Sequence, residues 1–148
     1  MVTAVDTNVF LDVFLNDPQY RSASFAALTK AFASGDVIVG EVVWSETGAA
    51  FPDSQSFLSA MDRLGVKFVP MSKDAATKAA DMWRLAKANR TPPPRRVIAD
   101  FLVGAHAESC ADCLLTRDNG FYRNYFSNLK VIAPSDSISS DPSVGNVV

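Results

Sequence analysis

Val2-Thr3-Ala4-Val5, followed at once by Asp6-Thr7-Asn8 and then by Phe10 and Phe14 at helical spacing, reads as a short strand that ends on an acid and turns directly into a helix. Such an apolar run, rich in β-branched residues and without polar alternation, suits a strand covered on both faces, as in a parallel sheet. Similar runs recur at residues 37–39, 66–69, 113–116 and 130–132, with helically patterned segments between them long enough to make crossovers. Five strands separated by helices predict an α/β domain, a five-stranded parallel sheet with helices on both faces and right-handed connections.

The punctuation agrees. Gly35 and Gly65 follow Phe32 and Leu64 as helix-ending residues, and Ser72 can cap a helix that runs to about Asn89. Thr91-Pro92-Pro93-Pro94 must stop that helix, because consecutive prolines lack backbone donors and push their neighbours extended. A further helix starts near Arg96 and runs to about Ser109. From Pro134 onward, PSDSISSDPSVGNVV has no core-forming period. The expected organisation is one domain over residues 1–134 and a polar, mobile tail over 135–148.

At 148 residues, 48% hydrophobic and 20% charged, the chain is long enough to bury a core without disulfides or a structural metal. Two cysteines are too few for a secreted scaffold, and the opening stretch has no basic segment or signal-type apolar run, so a cytoplasmic protein is expected. No apolar stretch approaches the roughly 20 residues that cross a bilayer. A net charge of -2 argues against a general nucleic-acid coating protein. The charge is uneven, however: Arg84, Lys87, Arg90, Arg95 and Arg96 form a basic patch with no intervening acid.

In an open α/β sheet the functional crevice lies beyond the carboxyl ends of the strands. Asp6 ends the first strand and Asp118 lies just past the fourth, so the two converge if those strands are neighbours. Either could instead cap the helix that follows it. Glu46, in Val42-Val43-Trp44-Ser45-Glu46, and Asp100, in Val97-Ile98-Ala99-Asp100-Phe101, interrupt apolar helical stretches, where they face water or find a partner.

Val5-Asp6-Thr7-Asn8, Trp44-Ser45-Glu46, residues 97–107 (VIADFLVGAHA) and residues 114–122 (LLTRDNGFY) together resemble the ordered motifs of PIN-domain ribonucleases, and within them the VapC-type toxins of bacterial toxin-antitoxin pairs. The likeness runs from Met1 to about Pro134. It implies a sheet in the order 3-2-1-4-5, an acidic site of Asp6, Glu46, Asp100 and Asp118, and polar supports at Asn8 and Thr116. The activity it implies is hydrolysis of RNA to leave a 5′-phosphate and a 3′-hydroxyl. It also implies a homodimer bound by a small antitoxin.

Four clustered carboxylates raise one another's pKa, and a divalent cation relieves that conflict. Oxygen ligands favour Mg²⁺ or Mn²⁺, whereas one histidine and no thiolate set make zinc a poor match. Asp6 and Asp118 are expected as direct ligands, with Glu46 and Asp100 acting through water, on a second metal or on the nucleophile. Whether one ion or two are held stays open. Arg95, Arg96, Arg117 and Arg123 are candidate RNA phosphate contacts, since an anionic site needs nearby cations to accept a polyanion.

Other motifs fall away. Cys110-Ala111-Asp112-Cys113 lacks a second pair to finish a zinc site, and His106 stands about 120° around its helix from Asp100, a structural position. A haloacid-dehalogenase-type phosphatase needs an acid at position 8, which is Asn, and a receiver domain needs an acid where Val69-Pro70-Met71-Ser72 stands. Trp44, Phe51 and Trp83 are candidate apolar anchors for a partner. The leading expectation is a Mg²⁺- or Mn²⁺-dependent endoribonuclease toxin. The alternatives are a non-catalytic PIN-like RNA-binding or interaction module, and a PIN nuclease without an antitoxin.

Overall fold

β1 (Thr3–Val5), β2 (Val37–Val39) and β4 (Cys113–Leu115) are buried at every residue, which requires cover on both faces of the sheet. The computed structural model describes residues 1–88 and 98–137. All strand pairs are parallel, and with β3 (Lys67–Phe68) and β5 (Lys130–Ile132) at the edges the order is β3-β2-β1-β4-β5. The expected α/β architecture and the 3-2-1-4-5 order are what the chain adopts.

The crossovers are helical. α1 (Thr7–Phe14) and α2 (Arg21–Ser34) lead from β1 to β2, and α3 (Glu41–Gly48) and α4 (Ser54–Leu64) lead on to β3. α5 (Lys73–Ala88) and α6 (Ile98–Cys110) connect β3 to β4, and α7 (Asn119–Tyr125) connects β4 to β5. The core gathers Phe10, Phe101, Tyr122, Phe126, Met61 and Leu114 around the central strands. No helix among the described residues is long and apolar enough to cross a membrane.

The helix ends follow local chemistry. Gly65 adopts a left-handed conformation (φ 79°) and its N–H returns to Met61 and Asp62, closing α4. Ser72 Oγ accepts from the Ala75 N–H at 3.1 Å, so it caps α5. The helix expected to reach Asn89, the proline stop and the start near Arg96 lie outside the described residues.

Two boundaries differ from the sequence reading. The third strand, expected over residues 66–69 as buried, is a two-residue exposed edge. It pairs only with β2, and Lys67 reaches Asp36 at 2.9 Å. An edge strand has neighbours on one side only, so its apolar residues need not be covered. Pro134–Ser137, expected at the junction with the tail, forms a 3₁₀ turn packed against α2. The rest of the expected tail lies outside the described residues.

Candidate active site

The parallel pairing of β1 with β4 sets Val5 opposite Leu115, so the next residues, Asp6 and Thr116, stand side by side where the sheet ends. Thr116 Oγ1 donates to Asp6 Oδ2 at 2.8 Å, the Thr7 N–H donates to Oδ1 at 2.8 Å, and Asn8 Nδ2 reaches Oδ2 at 3.3 Å. The Tyr122 hydroxyl favours the charged form of this carboxyl. Burial pushes the Asp6 carboxyl above its ordinary value, and the charge of Asp100 adds to that. The donors from Thr116, Thr7 and Tyr122 oppose the shift without cancelling it. Asp6 is also the N-cap of α1, so the capping role and a place in the crevice coincide.

Asp118 occupies the N-cap position of α7, yet its side chain makes no capping hydrogen bond. Its N–H donates instead to Thr116 Oγ1 at 3.0 Å. Asp100 lies half-buried in the first turn of α6. The three acids all act electrostatically on Tyr122, a fully buried phenol on α7. Burial, then the charges of Asp6 and Asp100, a hydrogen bond to Asp6 and the charge of Asp118 raise its ionisation far above the ordinary tyrosine range. The phenol therefore remains neutral, within the electrostatic influence of three carboxylates. Glu46, exposed on α3, joins them differently: Thr7 Oγ1 donates to its Oε1 at 2.8 Å.

The sequence profile of the PIN domain matches residues 3–127, which span β1 through α7 and hold all four acids. The chain belongs to the PIN domain family. No curated protein sequence matches this PIN domain. Among solved structures it is similar to VapBC2 of Rickettsia felis bound to a promoter DNA fragment, with 16% identity over 90% of this chain and 98% of that one, at a TM-score of 0.66. VapBC-1 of nontypeable Haemophilus influenzae gives 14% identity, 91% and 99% coverage and a TM-score of 0.66. VapC20 of Mycobacterium tuberculosis, a sarcin-ricin loop cleaving toxin, gives 16%, 86% and 98%, and 0.58. At these identities the likeness is one of fold.

The residues suit a hard divalent cation by chemistry, since Asp6, Asp100, Asp118 and Glu46 all offer carboxylate oxygen and three of them act electrostatically on one hydroxyl. The cage is not assembled in advance. Among the described residues no three His, Cys, Asp or Glu side chains are grouped so that they could hold a metal ion. Asp6 Oδ1 accepts a hydrogen bond from the Thr7 N–H and so keeps a lone pair for a cation.

The expected phosphate contacts fare unevenly. Arg117 is engaged with α1: its Nε and Nη2 donate to Asp12 Oδ2 and Oδ1 at 2.8 and 3.0 Å, and its guanidinium lies 3.9 Å from the centre of the Tyr20 ring. Arg123 is exposed and donates to the Val131 carbonyl at 3.3 Å. Arg90, Arg95 and Arg96 lie outside the described residues. Of the remaining basic patch, Arg84 pairs with Asp81 and Lys87 lies over the Trp83 ring, both within α5. His106 is buried, with Nε2 2.7 Å from the Val69 carbonyl oxygen, a structural tie between α6 and the end of β3. Cys110 and Cys113 are both free thiols. Trp44 is half-buried between Phe57 and Phe68, and Phe51 packs on Phe14 and Phe57.

Sequence reasoning passed over three residues. Tyr122 looks like one more core aromatic, although a buried phenol needs a hydrogen-bond partner and Asp118 four residues earlier points to where one would be. Thr7 is hidden between two more conspicuous polar residues. Asp12 lies on an otherwise apolar helix and finds its partner 105 positions away.

Proposed function

We propose that this PIN domain is a metal-dependent endoribonuclease and the toxin of a type II toxin-antitoxin pair. The observation that supports the reading is that β1 and β4 pair side by side with Asp6 and Thr116 at their carboxyl ends, where Asp6, Asp100 and Asp118 all act electrostatically on the buried Tyr122. Asp6, Asp100 and Asp118, with Glu46 beside them, are the residues that would hold Mg²⁺ or Mn²⁺. When bound, such an ion polarises a phosphodiester and lowers the pKa of a water. Thr116, Asn8 and Tyr122 aim the Asp6 carboxylate. Glu46 uses Oε1 on Thr7, leaving Oε2 to take a proton from the attacking water.

The substrate proposed is a structured RNA read by shape and phosphate position, with Arg95 and Arg96 supplying charge. A small antitoxin would silence the enzyme, and a homodimer is its proposed state. Growth arrest on induction, relieved by a co-purifying small protein encoded alongside, tests the toxin assignment. Mapping new 5′-phosphate ends after brief induction tests the chemistry. One or two dominant sites in a stable RNA support the reading; cuts spread through messenger RNA by base identity alone overturn the substrate class.

One observation favours a second reading, a non-catalytic module: Asp6 already accepts hydrogen bonds on both oxygens, and among the described residues the acids form no ready cage. Thermal melting with millimolar Mn²⁺ separates the two, since a nuclease site gains stability on binding the ion. The absence of both a melting shift and cleavage would leave the module.

A further inference from the structure

Arg117 stands between Thr116, which donates to Asp6, and Asp118, and it is fastened to α1 at two points one turn apart. Its N–H donates to Asn8 Oδ1 at 3.2 Å, and its guanidinium forks onto both oxygens of Asp12. Asn8 and Asp12 are i, i+4 neighbours and share one helix face. Asp12 is only 3% exposed, and Ser24 Oγ on α2 donates to its Oδ2 at 2.6 Å. Tyr20, at the start of α2, closes the far side of the guanidinium.

Stability is a poor reason for this arrangement. Taking a carboxylate and a guanidinium out of water costs about as much as their attraction returns, and well-packed apolar residues hold two elements together as well. A planar fork supplies direction, which apolar contact does not: two parallel hydrogen bonds allow one orientation of the guanidinium. Burial, which alone would lower the Arg117 pKa, is outweighed by hydrogen bonding to Asp12 and by its charge, so the cation persists.

We propose that Asp12 and Arg117 are positioning residues, a clamp on α1 that sets where the Asp118 carboxylate stands relative to Asp6. The inference rests on the acidic site described above being a cation site, but the clamp itself has a readout free of metal. The connection from β4 to α7 carries Asp118 on a short span, and the clamp fixes the residue immediately before it. Releasing Arg117 frees that span while leaving β1 and β4 paired.

The test uses the full chain with Arg117→Met, Arg117→Lys and Asp12→Asn. Amide hydrogen exchange without metal is expected to speed up about tenfold at Arg117 and Asp118 in each variant, while the Thr3 and Asp6 amides in the sheet stay as protected as in the wild type. A role confined to stability would accelerate all four together. In a separate titration, Mn²⁺ affinity is expected to fall about tenfold or more. Lysine is expected not to rescue, because it restores charge but not the fork. Unchanged exchange at Asp118, uniform acceleration, or full rescue by lysine overturns the clamp. If wild-type protein binds no Mn²⁺, the cation-site reading fails, and the exchange pattern still decides whether the clamp exists. Should Arg117→Met not fold, Arg117→Lys and Asp12→Asn carry the same comparison.

Discussion

Thr7 Oγ1 donates to Glu46 Oε1 at 2.8 Å, while the Thr7 N–H donates to Asp6 Oδ1 at 2.8 Å. One threonine therefore ties two of the four acids together, reaching Glu46 on α3 from 39 positions away in the sequence. Replacing it with valine keeps the backbone bond and the side-chain shape but releases Glu46. Thr7→Val is expected to lower RNA cleavage about tenfold, less than the roughly 10²–10⁴-fold that a positioned general base contributes, because Glu46 stays in place and loses only its tether. Stability should change by no more than one partly buried hydrogen bond, about 1 kcal/mol. Wild-type turnover in Thr7→Val would show the tether to be idle.

Asp6→Asn and Asp118→Asn are each expected to abolish cleavage while the protein still folds, because the amide keeps the shape and removes the charge that attracts a cation. Circular dichroism confirms folding, and a Mn²⁺ melting series should show that the stabilisation disappears with the activity. Retained cleavage by either protein, purified free of wild type, would remove that residue from the site. Glu46→Gln and Asp100→Asn are expected to be severe as well.

Gly104 on α6 lies against the Phe126 ring, where an added Cβ would meet Cε2 at 2.3 Å. Alanine gains up to about 1 kcal/mol of helix propensity over glycine, yet overpacking a buried ring costs about 1–3 kcal/mol. The clash wins, so Gly104→Ala is expected to lower the melting temperature. The same displacement moves α6, and with it Asp100, so cleavage should fall too. A rise in melting temperature would mean that Phe126 yields freely.

Thr47 is fully buried on α3, and its Oγ1 has no hydrogen-bond partner. Valine has nearly the same shape without the stranded hydroxyl, so Thr47→Val is expected to stabilise the protein by about 1 kcal/mol, measured by denaturant unfolding. A loss of stability instead would point to a partner for the hydroxyl in solution.

Asp53 caps α4, and its carboxyl lies below the ordinary value because the Ser56 N–H donates to it at 2.7 Å. A carboxylate with a lowered folded pKa stabilises the protein above the unfolded value of 3.8 and loses that contribution as pH falls through the folded value. Asp53→Ala should therefore melt lower than wild type at neutral pH, with the gap closing below pH 3.8. A gap independent of pH would place the cap's contribution elsewhere.

The alternation of short apolar runs with helical segments was enough to predict five parallel strands, because strands covered on both faces must be apolar throughout and crossover helices must be long. The acids at positions 6 and 118 were readable for the same reason: the sheet's carboxyl edge is where polar residues first become tolerable. Local spacing cannot say which distant groups share a hydrogen bond. Thr116 reaching Asp6, Thr7 reaching Glu46 and Arg117 forking onto Asp12 each depend on the lateral order of strands and the packing of α1 against its neighbours. Sequence reasoning thus named Arg117 as a candidate phosphate contact and could not foresee its fork onto α1. Only the tertiary structure supplied Asp12, a carboxylate 3% exposed whose partners are the Arg117 guanidinium and the Ser24 hydroxyl.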